Sequence, residues 1–162
     1  MQYKRFEDLP VWRDSIELAR SMYEFTALDL FRGHPGLRDQ LERAALSVSN
    51  NIAEGFERGT TNELLAFLYI ARGSAGEVRS MMRILETWDI FGKCKSQISN
   101  FIAQCEKISK QLYGWIETLK NSEITGQRRL DDKEKKRYAN KKEREQFLEE
   151  LNRITSKPPE KP

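Results

Sequence analysis

The sequence has few of the side chains on which catalysis and metal binding usually depend. Its 162 residues include one histidine, His34, and two cysteines, Cys94 and Cys105. The cysteine spacing matches no zinc or redox motif, and a single histidine does not supply a catalytic triad or a zinc site. No P-loop and no dinucleotide-binding glycine motif is present. We therefore expect free thiols, no metal, no cofactor and no enzymatic activity.

Long apolar runs are also missing. No stretch approaches the roughly 18 apolar residues that span a bilayer, and the polar start of the chain lacks the apolar core of a signal peptide. Charged residues make up 33% of the chain and hydrophobic residues 38%, a balance typical of a soluble helical protein. We expect a cytoplasmic protein with no membrane partner.

The net charge of +3 is unevenly distributed along the chain. Residues 1–125 carry 16 Lys and Arg against 17 Asp and Glu, whereas residues 126–162 carry 12 against 8. The sequence therefore predicts a folded domain at 1–125 and a charged extension at 126–162. The extension is helix-compatible to about residue 155 and proline-rich, hence disordered, beyond it.

Four segments of the first region show the apolar spacing of amphipathic helices. Asp8 would cap the first helix, and Thr60 with Glu63 would form a capping box at the start of the third. Short connections between such helices favour an all-α fold, an up-down-up-down four-helix bundle. The predicted core stripes are Leu9, Trp12, Ile16, Ala19, Tyr23, Thr26 and Leu30; Leu37, Leu41, Ala44, Ala45, Val48, Ile52 and Phe56; Leu64, Leu68, Ala71, Ala75, Val78, Met82 and Leu85; and Ile98, Ile102, Cys105, Leu112, Ile116 and Leu119.

A polar stripe on the second helix has two interpretations. In the structural one, Asn51 and a partly buried Glu54 bond neighbouring helices or loop backbone. In the functional one, the arginines of the stripe bind nucleic-acid phosphate or a protein partner, together with a similar arginine flank on the third helix. The stripe consists of Arg43, Ser47, Asn51, Glu54 and Arg58, and the flank of Arg72, Arg79 and Arg83.

The third helix contains two glycines, Gly73 and Gly76, in the run Gly-Ser-Ala-Gly. Each glycine in a helix costs about 1 kcal/mol relative to alanine. We interpret the run as a close-packing surface against the small residues of the second helix, Ala44, Ala45, Ser47 and Ser49.

A second apolar seam on the third helix also has two interpretations. A bundle helix touches two neighbours, so the seam is either a broad core face or a subunit interface. The seam consists of Phe67, Ile70, Ser74, Met81 and Trp88, and the interface interpretation rests on Phe67, Ile70, Met81 and Trp88.

Three motifs carry a family resemblance. They are FEDLPVW at the start of the first helix, QLERAALSVSNNIAEGFERGT on the second and FLYIARGSAGEVRSMM on the third. At these positions the chain resembles the bacterial four-helix bundle proteins that include the intervening-sequence proteins encoded inside some large-subunit rRNA genes. The resemblance covers about residues 3–120. Its structural signature positions include Asn51, Glu54, Gly55, Gly73 and Ser74.

This resemblance implies a bundle that assembles into rings, pentamers especially. Related proteins include the accessory variability determinant of diversity-generating retroelements, a pentamer that partners a reverse transcriptase and binds nucleic acid. The preferred hypothesis is therefore a non-enzymatic homo-oligomeric adaptor that binds RNA or DNA, in one version beside a reverse transcriptase. The alternative is a protein-interaction scaffold with no nucleic-acid affinity.

The charged extension supplies further candidate phosphate contacts. Several tails would meet in one oligomer, and weak contacts gain from multivalency, so we expect the extension to contribute more affinity than the bundle. Its basic clusters are Arg128 and Arg129; Lys135, Lys136 and Arg137; and Lys141 and Lys142.

Overall fold

A computed structural model describes residues 3–121, 140, 143–149 and 153. Each α-helix packs against the next one in the chain, and α4 also packs against α1. The described residues contain no strand, and the prediction of an all-α four-helix bundle is confirmed. The helices are α1 (Pro10–Thr26), α2 (Pro35–Glu57), α3 (Thr61–Glu86) and α4 (Lys95–Lys120), with short 3-10 helices at Phe6–Asp8, Asp29–Phe31 and Asp89–Cys94.

The chain divides into two units, residues 1–126 and 127–162. In the second unit, Asn140, residues 143–149 and Arg153 are helical and exposed. The rest of the predicted extension lies outside the described residues. Among the helices that are described, none has both the length and the hydropathy that crossing a membrane requires.

The core lies between all four helices, and it contains most of the stripe residues predicted for α2, α3 and α4. All seven predicted stripe residues of α3 are buried, and on α4 the stripe is buried from Ile98 to Ile116. Because β-branched and long apolar side chains from all four helices meet here, burial rather than helix propensity stabilises these elements.

The core face of α1 differs from the predicted one. Leu9, Ala19 and Thr26 are buried as predicted, but Ile16 and Tyr23 are 38% and 45% exposed, so the prediction is wrong at these two positions. Ser15 occupies a core position, where its hydroxyl donates to the Val11 carbonyl at 2.7 Å and is satisfied within the helix. Because Ser15 is polar, the spacing of apolar residues alone does not indicate which face of α1 is buried. The buried face is Val11, Ser15, Leu18, Ala19, Met22, Phe25 and Thr26.

The helix caps are partly as predicted. Asp8 does not cap α1: it lies in the preceding 3-10 helix, and Leu9 is the N-cap with no side-chain hydrogen bond. Pro10 occupies the first turn, where its missing N–H is harmless. At α3 the Thr60 hydroxyl accepts from the Glu63 amide at 3.2 Å and donates to the Glu63 carboxylate at 2.7 Å.

The two longer connections close one end of the bundle with aromatic rings. Phe31, from the 3-10 helix after α1, packs at 5.2 Å between ring centroids against both Phe25 and Phe91. Phe91 comes from the 3-10 helix between α3 and α4, and Phe25 also contacts Phe101 of α4. These connections are therefore part of the core rather than surface loops.

A largely but not fully buried carboxylate, Glu42, joins the end of α1 to α2. The Thr26 hydroxyl donates to Glu42 at 2.7 Å, and the Arg38 guanidinium donates to the same oxygen at 2.9 Å. Burial opposes ionisation of Glu42, but these hydrogen bonds outweigh it and hold the pKa of Glu42 below its ordinary value. The carboxylate therefore remains charged at neutral pH and fixes the end of α1.

Gly55 allows the closest approach of α2 to α3. A Cβ at this position would lie 2.7 Å from Cβ of Phe67 and 3.2 Å from a methyl of Leu64. In contrast, a Cβ at Gly73 or Gly76 would meet nothing within 4 Å. The close-packing interpretation of these two glycines is therefore wrong, and Gly55 is the residue that packs closely.

Gly55→Ala should lower the free energy of unfolding by about 1–3 kcal/mol, because Phe67 is held by its own helix backbone and cannot move away. The matched control is Gly114→Ala in α4, where an added Cβ has open space and should stabilise by up to about 1 kcal/mol. Urea unfolding followed by circular dichroism measures both. Equal effects of the two substitutions would contradict the close approach.

Candidate nucleic-acid interface

The two halves of the bundle carry opposite net charges. Helices α1 and α2 hold four Lys and Arg against seven Asp and Glu, whereas α3 and α4 hold seven against five. The slightly acidic total of the bundle therefore conceals a positive half. An anionic partner would be attracted to the α3–α4 side of the molecule.

The middle of the α2 polar stripe is a structural network. The hydroxyls of Ser47 and Ser74 lie 2.9 Å apart and join α2 to α3. The Asn51 side-chain amide donates to the Ser47 carbonyl at 2.7 Å and to its hydroxyl at 2.9 Å. Ser74 also donates to the Ile70 carbonyl at 3.0 Å. The link from α2 to α3 therefore comes from the two serines, whereas the Asn51 side chain bonds its own helix rather than the neighbouring helix or loop that the structural interpretation expected.

Glu54 does not belong to that network. Its side chain is 50% exposed and pairs with Arg58 at 2.6 Å, one turn along the same helix. The expectation of a partly buried Glu54 is wrong, because the stripe turns toward solvent between Asn51 and Glu54. Hydrogen bonding to Glu54 raises the pKa of Arg58, which also lies over the Phe67 ring at 5.1 Å. Arg58 is thus already occupied by contacts within the chain.

The arginines predicted on α3 separate into different environments. Arg72 and Arg79 line a groove between α3 and α4, whereas Arg83 pairs with Glu86 at 3.0 Å. Arg43 on α2 is exposed and donates to Gln40 at 2.7 Å. The predicted arginines therefore do not form one continuous surface.

We call the cleft between these helices the α3–α4 groove. It has a volume of about 440 Å³. Among the described residues, Arg79 is the only cation of the groove that has a carboxylate within 4 Å. Its guanidinium lies 3.9 Å from the carboxylate of Glu106. The Arg72 guanidinium lies over the Tyr113 ring, 5.2 Å from its centroid. The groove is lined by Arg72, Gly76, Arg79, Glu106, Ser109, Lys110 and Tyr113.

None of the α4 residues of the groove was predicted from the sequence, and two of them bear on its chemistry. Lys110 and Tyr113 lie three residues apart on α4, so they share a helix face. That spacing is visible in the sequence. Their position opposite Arg72 and Arg79 is not, because it depends on how α4 packs against α3.

The predicted oligomer seam is divided between the core and the surface. Met81 is buried within the chain, and Phe67 is half-buried beside Gly55. Ile70 is exposed, and Trp88 is partly exposed with its ring 5.4 Å from that of His34. Of the four residues, Ile70 has the largest exposed fraction.

The two cysteines are free and buried. Burial raises the pKa of the Cys105 thiol to about 12, so it remains protonated at neutral pH. In the described part of the chain, no cluster of His, Cys, Asp and Glu could hold a metal ion. The predicted basic clusters of the extension, Arg128, Arg129, Lys135, Lys136, Arg137, Lys141 and Lys142, lie outside the described residues.

Comparison with known proteins gives a family and a fold. The family model described as 23S rRNA-intervening sequence protein matches residues 7–114. No curated protein matches the chain. A crystal structure of a protein with unknown function from the S23 ribosomal protein family of Bacteroides thetaiotaomicron VPI-5482 is 19% identical, with a TM-score of 0.59. The match covers 66% of this chain and 98% of that one, and it shows the shared fold.

Asn51→Ala should lower the free energy of unfolding by about 1 kcal/mol, because two hydrogen bonds that the Asn51 amide donates to Ser47 are lost at a half-buried site. Glu54→Ala, four-fifths of a turn away on the exposed side, should have an effect close to zero, as ordinary surface substitutions do. Chemical denaturation of both variants tests the pair. A larger loss for Glu54→Ala than for Asn51→Ala would contradict this assignment.

Proposed function

Because the chain belongs to the 23S rRNA-intervening sequence protein family, we propose that it is a non-enzymatic, homo-oligomeric adaptor that binds RNA or DNA through the α3–α4 side of its bundle. The observation that carries this proposal is the separation of charge between the two halves of the bundle. A phosphate backbone is a line of negative charge, and a surface with surplus cations binds it without reading sequence.

The α3–α4 groove is the best site for that contact. Arg72 and Lys110 have no carboxylate partner among the described residues, and Arg79 has only a long contact with Glu106. On the opposite half, Arg20 pairs with Glu17 and Glu24, so its charge is already neutralised locally. Cations without a partner are the ones that gain most from phosphate.

The charged extension adds to this surface in the proposed assembly. Residues 126–162 have a surplus of four positive charges. Several extensions in one oligomer raise the effective concentration of these charges around a bound strand. The proposal thus has two cationic parts, the groove and the extension, and experiments can separate them.

The non-enzymatic part of the proposal is supported by the burial of Cys94 and Cys105 and by the packing of His34 against Trp88. A narrower form of the proposal is that the protein is an accessory factor of a reverse transcriptase. Co-purification with a reverse transcriptase encoded by a neighbouring gene tests that form directly. A scaffold without nucleic-acid affinity is the competing function.

The first test measures affinity for a short labelled RNA and the matching DNA at several salt concentrations. Replacing Arg72, Arg79 and Lys110 together by glutamine should weaken binding at least about tenfold at low salt. It should also reduce the slope of log K against log salt by about 2 for a single strand, because three phosphate contacts are lost.

The matched control replaces three exposed arginines outside α3 and α4: Arg5, Arg20 and Arg32. This triple variant removes the same charge, so affinity and slope close to those of the unaltered protein localise the contact to the groove. If the groove variant binds normally and truncation after Thr125 abolishes binding, the extension is the interface. If the unaltered protein binds neither nucleic acid, the scaffold function is correct.

The homo-oligomer has a separate basis on the outer face of α3. Ile70 and Ile84 are 50% and 47% exposed and lie on the same side of α3 as Gly73, where an added Cβ would meet nothing within 4 Å. Exposed aliphatic residues on a flat helix face suit packing against a second copy. This surface is distinct from the α3–α4 groove, which lies on the side of α3 that faces α4.

Light scattering coupled to size exclusion should give a mass several times the 19.0 kDa of one chain, with five chains as the expected number. Ile70→Glu with Ile84→Glu should shift the protein to the monomer mass, since a charge in an apolar interface is costly. Ile16→Glu with Leu46→Glu, at exposed positions of α1 and α2, is the matched control and should leave the mass unchanged. A monomer mass for the unaltered protein would contradict the assembly.

A further inference from the structure

The α3–α4 groove combines cations with an available aromatic ring. Tyr113 is 51% exposed, and the Arg72 guanidinium lies over one face of its ring, 5.2 Å from the ring centroid. Arg79 and Lys110 line the same groove. A ring that is fixed in place yet half exposed is a stacking platform, and the cations beside it suit the phosphates of the same strand.

A second exposed tyrosine lies on α3, one turn before Arg72. Tyr69 of α3 is also about half exposed. Tyr69 precedes Arg72 by three residues on α3, so the two side chains lie on the same side of that helix.

Gly76 leaves the groove open at its floor. An added Cβ there would meet nothing within 4 Å, and no glycine of the described chain has a positive φ. Neither packing nor backbone conformation within the chain calls for glycine at this helical position. Absence of a side chain lets a ligand approach the helix backbone, which is a common role of glycine at binding sites.

These features favour an unpaired strand over a duplex. In a duplex the bases are stacked on one another, and only phosphates and groove edges face a protein. In a single strand the bases can turn outward and stack on aromatic side chains. The groove volume of about 440 Å³ is large enough to receive one nucleotide.

Building on the proposed function, we propose that the α3–α4 groove binds single-stranded RNA, with a base stacked on Tyr113 over the open floor at Gly76. Arg72, Arg79 and Lys110 contact the adjacent phosphates, and Tyr69 offers a stacking surface for a neighbouring base. The chemistry recognised is thus an unstacked base flanked by phosphates, independent of sequence.

The test uses the full chain and two probes, a short single-stranded RNA and an RNA duplex of the same length. Tyr113→Leu should weaken single-strand binding roughly fivefold or more and leave duplex binding unchanged, because only the stacking contact is lost. Tyr113→Phe keeps the ring and should bind within about twofold of the unaltered protein. Tyr23→Leu, at a similarly exposed tyrosine of α1, is the control and should bind normally.

A second variant fills the floor. Gly76→Leu should weaken single-strand binding with no loss of helix content, whereas Gly36→Leu, at an equally open glycine of α2, should not. A strand that carries 2-aminopurine should also change its fluorescence on binding, and Tyr113→Leu should remove that change. Circular dichroism confirms that each variant is folded.

The outcomes separate this inference from the proposed function. Salt-dependent binding that is lost in the Arg72, Arg79 and Lys110 variant but unaffected by Tyr113→Leu and Gly76→Leu overturns the stacking site and leaves the proposed function intact. Equal affinity for strand and duplex also overturns it. Absence of any RNA or DNA binding overturns both.

Discussion

The approach of α2 to α3 at Gly55 sets the geometry on which the rest of the bundle depends. Gly55 meets Phe67, and farther along the same antiparallel pair Ser47 meets Ser74 and Gln40 donates to Glu77. Sequence numbers rise on one helix as they fall on the other, so the three contacts define one register. A larger residue at Gly55 would separate the helices at one end and weaken the hydrogen bond between the serines.

That register also determines which way α3 faces. With Phe67 and Ser74 directed at α2, the side chains of Arg72 and Arg79 must lie on the flank toward α4, because helix geometry fixes their angular separation. Gly73 and Ile70 are left on the outer face. One helix therefore presents a core stripe, a structural contact, a cationic groove and an apolar surface, and the single close approach to α2 positions all of them.

Sequence periodicity was sufficient for most of α2, α3 and α4, where only Leu37 and Leu119, at the ends of the predicted stripes, are partly rather than fully buried. It failed for part of α1 because Ser15 lies in the core, satisfied by the Val11 carbonyl, while the apolar Ile16 and Tyr23 lie outside. Periodicity gives the position of a residue around its own helix but not the direction of the neighbouring helix.

The same limitation explains the glycines and the groove. Gly55 and Gly76 look alike in sequence, yet one touches Phe67 and the other touches nothing within 4 Å. Lys110 and Tyr113 become candidates only once α4 lies beside Arg72. Net charge misleads for a similar reason, since it adds the acidic α1–α2 half to the basic α3–α4 half. Contacts across helices decide these cases, and no spacing within one helix contains them.

Assembly and binding use different faces of α3, which makes the two proposals compatible. Ile70 and Ile84 lie toward the outside, and Arg72, Gly76 and Arg79 toward α4, so a second copy on the first face leaves the groove open. A single groove offers few phosphate contacts and one or two stacking rings, which is a weak site at physiological salt. In the proposed assembly, several grooves would act on the same strand, and their combined affinity would exceed that of any one by orders of magnitude. A modest excess of positive charge per chain would then be sufficient for the proposed function, without the strongly basic surface that a monomeric nucleic-acid-binding protein requires.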